Sequence, residues 1–340
     1  MAEPNSLDRL KAALKTEQPD RFYVFYGPEA YLRAHYLDRL HKLLVEDYAD
    51  AFNYHRFNAA NITPQAVHDS IESIPMMGGR SMVQIDDVNF FAMGDDGAVY
   101  AQFFSALPEY CTLVLTYETV EFKIDKRKKA LAAAFEQAVA VEFTEPSERE
   151  LITWIGRHFK KQGKQITVDD ARYLISRTGS SMTALLSEIG KLSAYVQPET
   201  VTRADIDLLV EPVLEAVIFD LTDAVAAGRT DRALLSLDVL LRKQEEPISV
   251  LASVGAQMRR ILTAKRLLGG GKGQQELMKL CGLSSYPAQK AMEFARRLPE
   301  AACARAVELC LEADAQMKTS YDDPARILEL LVIRLTGGRQ

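Results

Sequence analysis

Five short, β-rich runs punctuate the first 145 residues, and helical patterning fills most of the intervals between them. The runs are Arg21 to Gly27, Asn53 to Asn58, Ser81 to Asp86, Cys111 to Tyr117 and Val139 to Phe143. The third, SMVQIDD, and the fourth, CTLVLTYE, are short and β-rich in the way of strands covered on both faces. Strand–helix alternation of this kind predicts an α/β domain with a five-stranded parallel sheet and helices on both sides.

The first run, RFYVFY, turns at Gly27-Pro28 and continues with Leu32, Tyr36, Leu37 and Leu40 at helical spacing. A strand that meets a glycine and enters a helix is where a phosphate-binding loop sits. Loop and helix N-terminus both offer N–H groups to an anion there. The Walker A pattern needs Gly-x-x-x-x-Gly-Lys-Ser/Thr, and this chain has Gly27-Pro28-Glu29-Ala30-Tyr31-Leu32-Arg33. The second glycine, the lysine and the hydroxyl are missing, and Glu29 places an acid where phosphate charge would arrive. The loop is degenerate.

Three further stretches each admit two readings. MVQIDDV, Met82 to Val88, ends a strand in Asp86-Asp87, either a vestige of the Walker B acids that hold Mg²⁺ and activate water or a solvated strand end. KIDKRKKA places five basic residues between Lys123 and Lys129, either a solvated helix start or a phosphate or subunit contact through Lys126, Arg127 and Lys128. SIPMMGGRSM sets Ile74, Met76 and Met77 around a proline, just before two glycines and the next strand. Those side chains either cap the core or point outward, and methionine is an adaptable residue on protein-binding surfaces. LGGGKGQQ, Leu268 to Gln275, follows a helix and puts Gly273 where Ser or Thr should follow Lys272, so it reads as a helix–helix loop.

After Phe143 the strand signal stops. Thr144-Glu145-Pro146 is a break, and Ser147 with Glu150 forms a capping box opening a helix with Leu151, Trp154, Ile155 and Phe159. Helices are predicted around Val168 to Arg177, Met182 to Val196 and Arg203 to Leu209, a small all-α domain over 146–211. Beyond Pro212 longer helices are predicted, punctuated by Gly228, Gly269 to Gly271 and Gly282. This makes a helical bundle over 212–340.

The 340 residues suit two or three domains at roughly 150 residues each. A net charge of −6 argues against a chain that coats nucleic acid through global charge, and leaves a local basic face open. No apolar run approaches the ~18 residues of a membrane span. The N-terminus lacks an apolar signal core, so a cytoplasmic protein is expected. Cys111, Cys281, Cys303 and Cys310 form no Cys-x-x-Cys pair and the histidines no metal-spaced pair, so neither metal nor cofactor is indicated. Cys303 and Cys310, seven apart, are expected to share a buried helix face. No nucleophile elbow supports hydrolytic chemistry. Composition and pattern alone yield a three-part protein whose first domain has an ATPase-like layout without the parts that bind ATP.

Taken together, FYVFYGPEAYLRAHYLDRL, SIPMMGGRSMVQIDDV, TLVLTYETVEFKIDKRKKA, TGSSMTALLSEIGKLSAY and DAQMKTSYDDPARILELLVIRL resemble the delta-subunit family of bacterial DNA polymerase III, the wrench of the clamp loader. The resemblance spans essentially the whole chain and rests on the order and spacing of the pieces. It implies a AAA+-like first domain that binds no ATP (1–145), a helical lid (146–211) and a collar (212–340). The collar would join delta-prime and the tau/gamma motor subunits in a ring. It further implies a non-catalytic subunit that binds and opens the beta sliding clamp for loading onto primed DNA, with ATP hydrolysed by neighbours. The family's clamp-binding element, an apolar pair just before the third strand, falls on Met76 and Met77, with Ile74 beside them. Met-Met stands there in place of the more usual Leu-Phe type of pair. The family can carry an aromatic near the primer–template junction, which falls on Tyr321. Two other classes compete with this reading: a divergent AAA+ ATPase using Asp86 and Asp87, and a helical DNA-binding module using the basic segments from Lys123 and from Gln257 (QMRRILTAKR).

Overall fold

The computed structural model of the chain describes residues 6–76, 79–94, 96–283 and 285–337. It divides into two compact units, Met1–Glu145 and Pro146–Gln340. The first runs α1 (Ser6–Thr16), β1 (Phe22–Tyr26), α2 (Ala30–Leu44), a 3-10 turn at Asp47–Ala49, α3 (Asp50–Asn53), β2 (Tyr54–Asn58) and α4 (Pro64–Glu72). It continues with β3 (Ser81–Asp86), α5 (Asp96–Ser105), β4 (Cys111–Thr116), α6 (Lys129–Glu136) and β5 (Val139–Glu142). The five strands pair in parallel in the order β2-β3-β4-β1-β5, as the alternation predicts.

The pleat explains the composition of these strands. Phe22 and Val24 of β1, Val83 and Ile85 of β3, and Leu113 and Leu115 of β4 face one side, where Val67 and Ile71 of α4, Phe104 of α5 and Phe135 of α6 cover them. Tyr23, Phe25, Met82 and Val114 face the other, under Leu10 and Leu14 of α1 and Leu40 and Leu44 of α2. Each fully buried aliphatic side chain contributes about 1.5–3 kcal/mol, so a polar substitution at Val24 or Leu113 would unmake a layer. From β1 the chain crosses one face to the edge strand β2, then returns along the other face through β3 and β4. The carboxyl end of β1 therefore lies where the strand order reverses, the position at which open α/β sheets hold ligands.

The second unit holds α7 (Glu148–Lys161), β6 (Gln165–Ile166), α8 (Val168–Thr178), α9 (Met182–Tyr195), β7 (Thr200–Val201) and α10 (Arg203–Leu209). There follow α11 (Leu214–Ala226), α12 (Thr230–Arg242), α13 (Pro247–Gly269), α14 (Gln274–Cys281), α15 (Ser285–Arg297), α16 (Glu300–Thr319) and α17 (Pro324–Gly337). The capping box at α7 forms as read: the Ser147 N–H donates to Glu150 Oε2 at 2.8 Å and the Glu150 N–H to Ser147 Oγ at 3.4 Å. The parallel pair β6–β7 is a departure from an all-helical reading. Two-residue strands are too short to show alternation, so nothing in the sequence announces them. α13 packs against α11, α14, α15, α16 and α17, and its Val254 and Ile261 share one core with Leu221, Leu237, Cys303, Cys310 and Leu328. The glycines after α13 terminate it: Gly271 is left-handed and the Lys272 N–H donates to the Leu267 carbonyl at 2.8 Å.

In α11, Asp223 lies 3.6 Å from Lys290 Nζ of α15. Burial pushes its carboxyl up to about 6, against Lys290 and with help from Asp220 and Glu293. A folded value above the ordinary one means the neutral acid favours folding. That contribution is present below pH 4 and lost as pH rises through 6. Asp223→Asn is expected to stabilise the chain at pH 7.5 by on the order of 2 kcal/mol and by much less at pH 4.5. Urea midpoints at the two pH values check this; equal gains at both would refute the raised value.

Candidate functional site

At the end of β1, Gly27 adopts φ +111°, and a Cβ there would meet the Phe143 carbonyl oxygen at 2.5 Å. Only glycine lets this turn lie against β5. The Phe143 N–H donates to the Tyr26 carbonyl at 2.7 Å and the Glu29 N–H to the Phe143 carbonyl at 3.0 Å, so the Glu29 amide of the loop is spent on the residue that follows β5. Glu29 is buried and caps α2, its carboxylate accepting from the Tyr31 N–H at 2.9 Å. The anion that a helix N-terminus attracts is thus supplied by the chain itself. One turn on, the buried Arg33 donates to the Gly27 carbonyl at 2.6 Å and reaches Glu118, just beyond β4, at 3.3 Å. This pair spans the crevice between β1 and β4. An incoming phosphate would meet a carboxylate at the helix start and a guanidinium already engaged.

The strand-end acids are equally occupied. Asp86 accepts from Arg56 at 2.5 Å, Thr116 at 2.5 Å and the buried Gln84 at 2.6 Å, which ties β2, β3 and β4 together. Asp87, itself at φ +52°, accepts from the N–H groups of Glu118, Thr119 and Val120. Burial pushes its carboxyl up, but those amides and the Thr119 hydroxyl outweigh this and hold it below the usual carboxylate range. Both side chains organise the β3 and β4 ends. Among the described residues no group of three or more His, Cys, Asp or Glu side chains is placed to hold a metal.

The stretch after α4 is different. Ile74 is 77% and Met76 54% exposed, standing on a turn that leads into β3. Met77 lies outside the described residues. The Tyr110 hydroxyl donates to the Glu72 carbonyl at 3.1 Å and so fixes the end of α4. The buried side chain of Asn53 bonds both the N–H and the carbonyl of Met76. Of the two readings of these apolar residues, Ile74 and Met76 take the outward one.

Lys126, Arg127 and Lys128 fall in a loop before α6. Arg127 folds back on Asp125 at 2.7 Å, and its side chain and then its N–H hold the Asp125 carboxyl down at about 2. Lys128 donates to the Met93 carbonyl. Tyr321, between α16 and α17, is fully exposed. In the helical unit, Leu235 and Val239 of α12 and Leu330 and Ile333 of α17 are also exposed, on two helices that pack together. Neither the exposure of these four residues, nor the bonds of Asn53, nor the Arg33–Glu118 pair is visible in the sequence. Each depends on residues brought together from far apart, and only the i, i+4 spacing of Leu235 and Val239 hints at a second helical stripe.

Together these features make the chain an α/β module with a five-stranded parallel sheet, its strand–helix turn capped by its own acid, followed by a helical unit. The model of the DNA polymerase III delta subunit matches residues 23–144, and that of its C-terminal domain matches residues 215–335. Between them they cover well over half of the chain, which belongs to the DNA polymerase III delta-subunit family. The DNA polymerase III subunit delta of Bacillus subtilis is 27% identical over 334 residues, 95% of either chain. The probable DNA polymerase III subunit delta of Aquifex aeolicus is 21% identical over 277 residues, 78% of this chain and 77% of that one. The solved structure of the Bacillus subtilis DNA clamp loader delta protein matches with a TM-score of 0.56 at 26% identity, covering 98% of this chain and 99% of its own. Among the described residues no helix is long and apolar enough to cross a membrane.

Proposed function

We propose that the chain is the clamp-opening subunit of a cytoplasmic clamp loader. It binds the beta sliding clamp through Ile74, Met76 and Met77 and neither binds nor hydrolyses ATP. The observation that carries this is the outward stance of Ile74 and Met76 on an anchored turn. Two apolar side chains entering a pocket can act as binding hot spots. Opening follows if the chain binds the open clamp better than the closed one, since differential affinity alone shifts such an equilibrium. ATP then belongs to the tau/gamma motor subunits, whose binding of nucleotide would expose the turn and whose hydrolysis on primed DNA would withdraw it. The crevice filled by Glu29, Arg33 and Glu118 supports that division of labour. The test is a titration of the chain alone with its organism's sliding clamp, without nucleotide. Submicromolar binding with no measurable ATP affinity is expected; tight ATP binding, or no clamp binding, would count against the reading.

Residues 146–211 serve as the lid and 212–340 as the collar, where the exposed Leu235, Val239, Leu330 and Ile333 offer a face to delta-prime or a motor subunit. Tyr321 is then free to stack near the primer–template junction. Leu235→Asp is expected to weaken assembly with the other loader subunits at least tenfold, about 1.4 kcal/mol, and to leave clamp binding by the isolated chain intact. Gel filtration of the mixed subunits checks this; normal assembly would place the contact elsewhere.

A further inference from the structure

Asn53 closes α3 and is 2% exposed. Its side-chain oxygen accepts from the Met76 N–H at 2.8 Å and its side-chain nitrogen donates to the Met76 carbonyl at 3.2 Å. Both halves of one buried amide are thus spent on both ends of one residue, which is itself half-exposed. A buried amide left with unmet partners is costly, so the arrangement is not exchangeable for an apolar filling.

The turn is anchored on either side of this bond as well. The turn after α4 forms no helix or strand among its described residues. Tyr110 fixes its beginning through the Glu72 carbonyl, and Arg80 reaches the Pro19 carbonyl at its far end at 3.4 Å. A cleft of about 250 Å³ lined by Tyr48, Asn53, Gly79 and Arg80 adjoins the Asn53 side of this contact. Pro75 restricts the backbone before Met76, and Asn53 fixes the backbone of Met76 itself.

We propose that Asn53 is the positioning residue of the clamp contact. It orders the Met76 backbone before the partner arrives, so that the cost of immobilising the turn is met on folding and not on binding. The inference rests on the reading of this turn as the clamp-binding element. Asn53 itself is buried and need not touch the clamp.

The test uses the full chain, the purified sliding clamp without nucleotide, and the variants Asn53→Ala, Asn53→Asp and Met76→Ala/Met77→Ala. Asn53→Ala is expected to weaken binding about tenfold, mainly through faster dissociation. In the background of the two methionine substitutions it is expected to add less than twofold, because residues acting through one contact are not additive. In the free chain, exchange of the Met76 amide is expected to accelerate at least tenfold while the amides of β1 are unaffected, a pattern that general destabilisation would not give. If Asn53→Ala does not fold, Asn53→Asp keeps the volume and the acceptor, loses the donor, and is expected to weaken binding at least threefold. Binding within twofold of wild type in a folded variant, or an unchanged Met76 amide, overturns the inference. Undiminished binding by the methionine double variant overturns instead the clamp-turn reading beneath it, and the two failures are thereby distinguished.

Discussion

Met76→Ala/Met77→Ala is expected to weaken binding of the sliding clamp by at least tenfold, with circular dichroism and thermal unfolding unchanged. Met76 already shields about half of its surface against its own chain. Its remaining burial on binding contributes roughly 1 kcal/mol at ~25 cal/mol per Å². A second methionine in the same pocket brings the pair to about 1.4 kcal/mol or more, which is the tenfold threshold. Because the turn makes no core contact through the exposed part of Met76, folding has little to lose. Calorimetric or surface-based titration of the folded variant decides the matter. Unchanged affinity would move the clamp contact to another surface, and a variant that unfolds would return the methionines to the core.

Gly27→Ala is expected to be far more damaging, destabilising the first unit by about 3 kcal/mol or more. The added carbon would sit 2.5 Å from the Phe143 carbonyl oxygen and 2.8 Å from its nitrogen, both backbone atoms that cannot swing aside. At φ +111° the new residue would be strained even in open space. Relief requires β5 to move, which breaks the bonds of Phe143 to Tyr26 and Glu29. Gly156 supplies the contrast. It lies inside α7 with nothing within 4 Å of a built Cβ, so Gly156→Ala is expected to stabilise by up to about 1 kcal/mol. Urea denaturation of both variants, with exchange at the Phe143 amide, checks the pair. A mild effect at Gly27 would mean that β5 yields easily.

The sequence revealed the elements with local signatures. β3 begins and ends at Ser81 and Asp86 as read, and the Ser147–Glu150 box forms because both of its bonds lie within four residues. The degenerate loop was legible because a Walker A pattern is defined by residue types at fixed spacing. What fills the loop was not. Arg33 meets Glu118 only because β1 and β4 are neighbours, and strand order is not written in periodicity. Asn53 was hidden for the same reason: read as the first residue of the second strand, it closes α3 instead, and its partner appears only when the chain returns 23 residues later. The outward stance of Ile74 and Met76 was one of two open readings, and only the placement of α4 and β3 separates them.

The Arg33–Glu118 pair carries a consequence for timing. A protein changes shape in response to a small molecule only if that molecule distinguishes between its shapes. On the proposed reading, a crevice whose Arg33 is already paired with Glu118 offers nucleotide no such distinction. Under the function proposed above, the first unit has no clock of its own, and its equilibrium is expected to be the same whatever the concentration of ATP. On that proposal, any schedule for presenting and hiding the turn would come from outside, as a displacement imposed by a neighbour that does keep time.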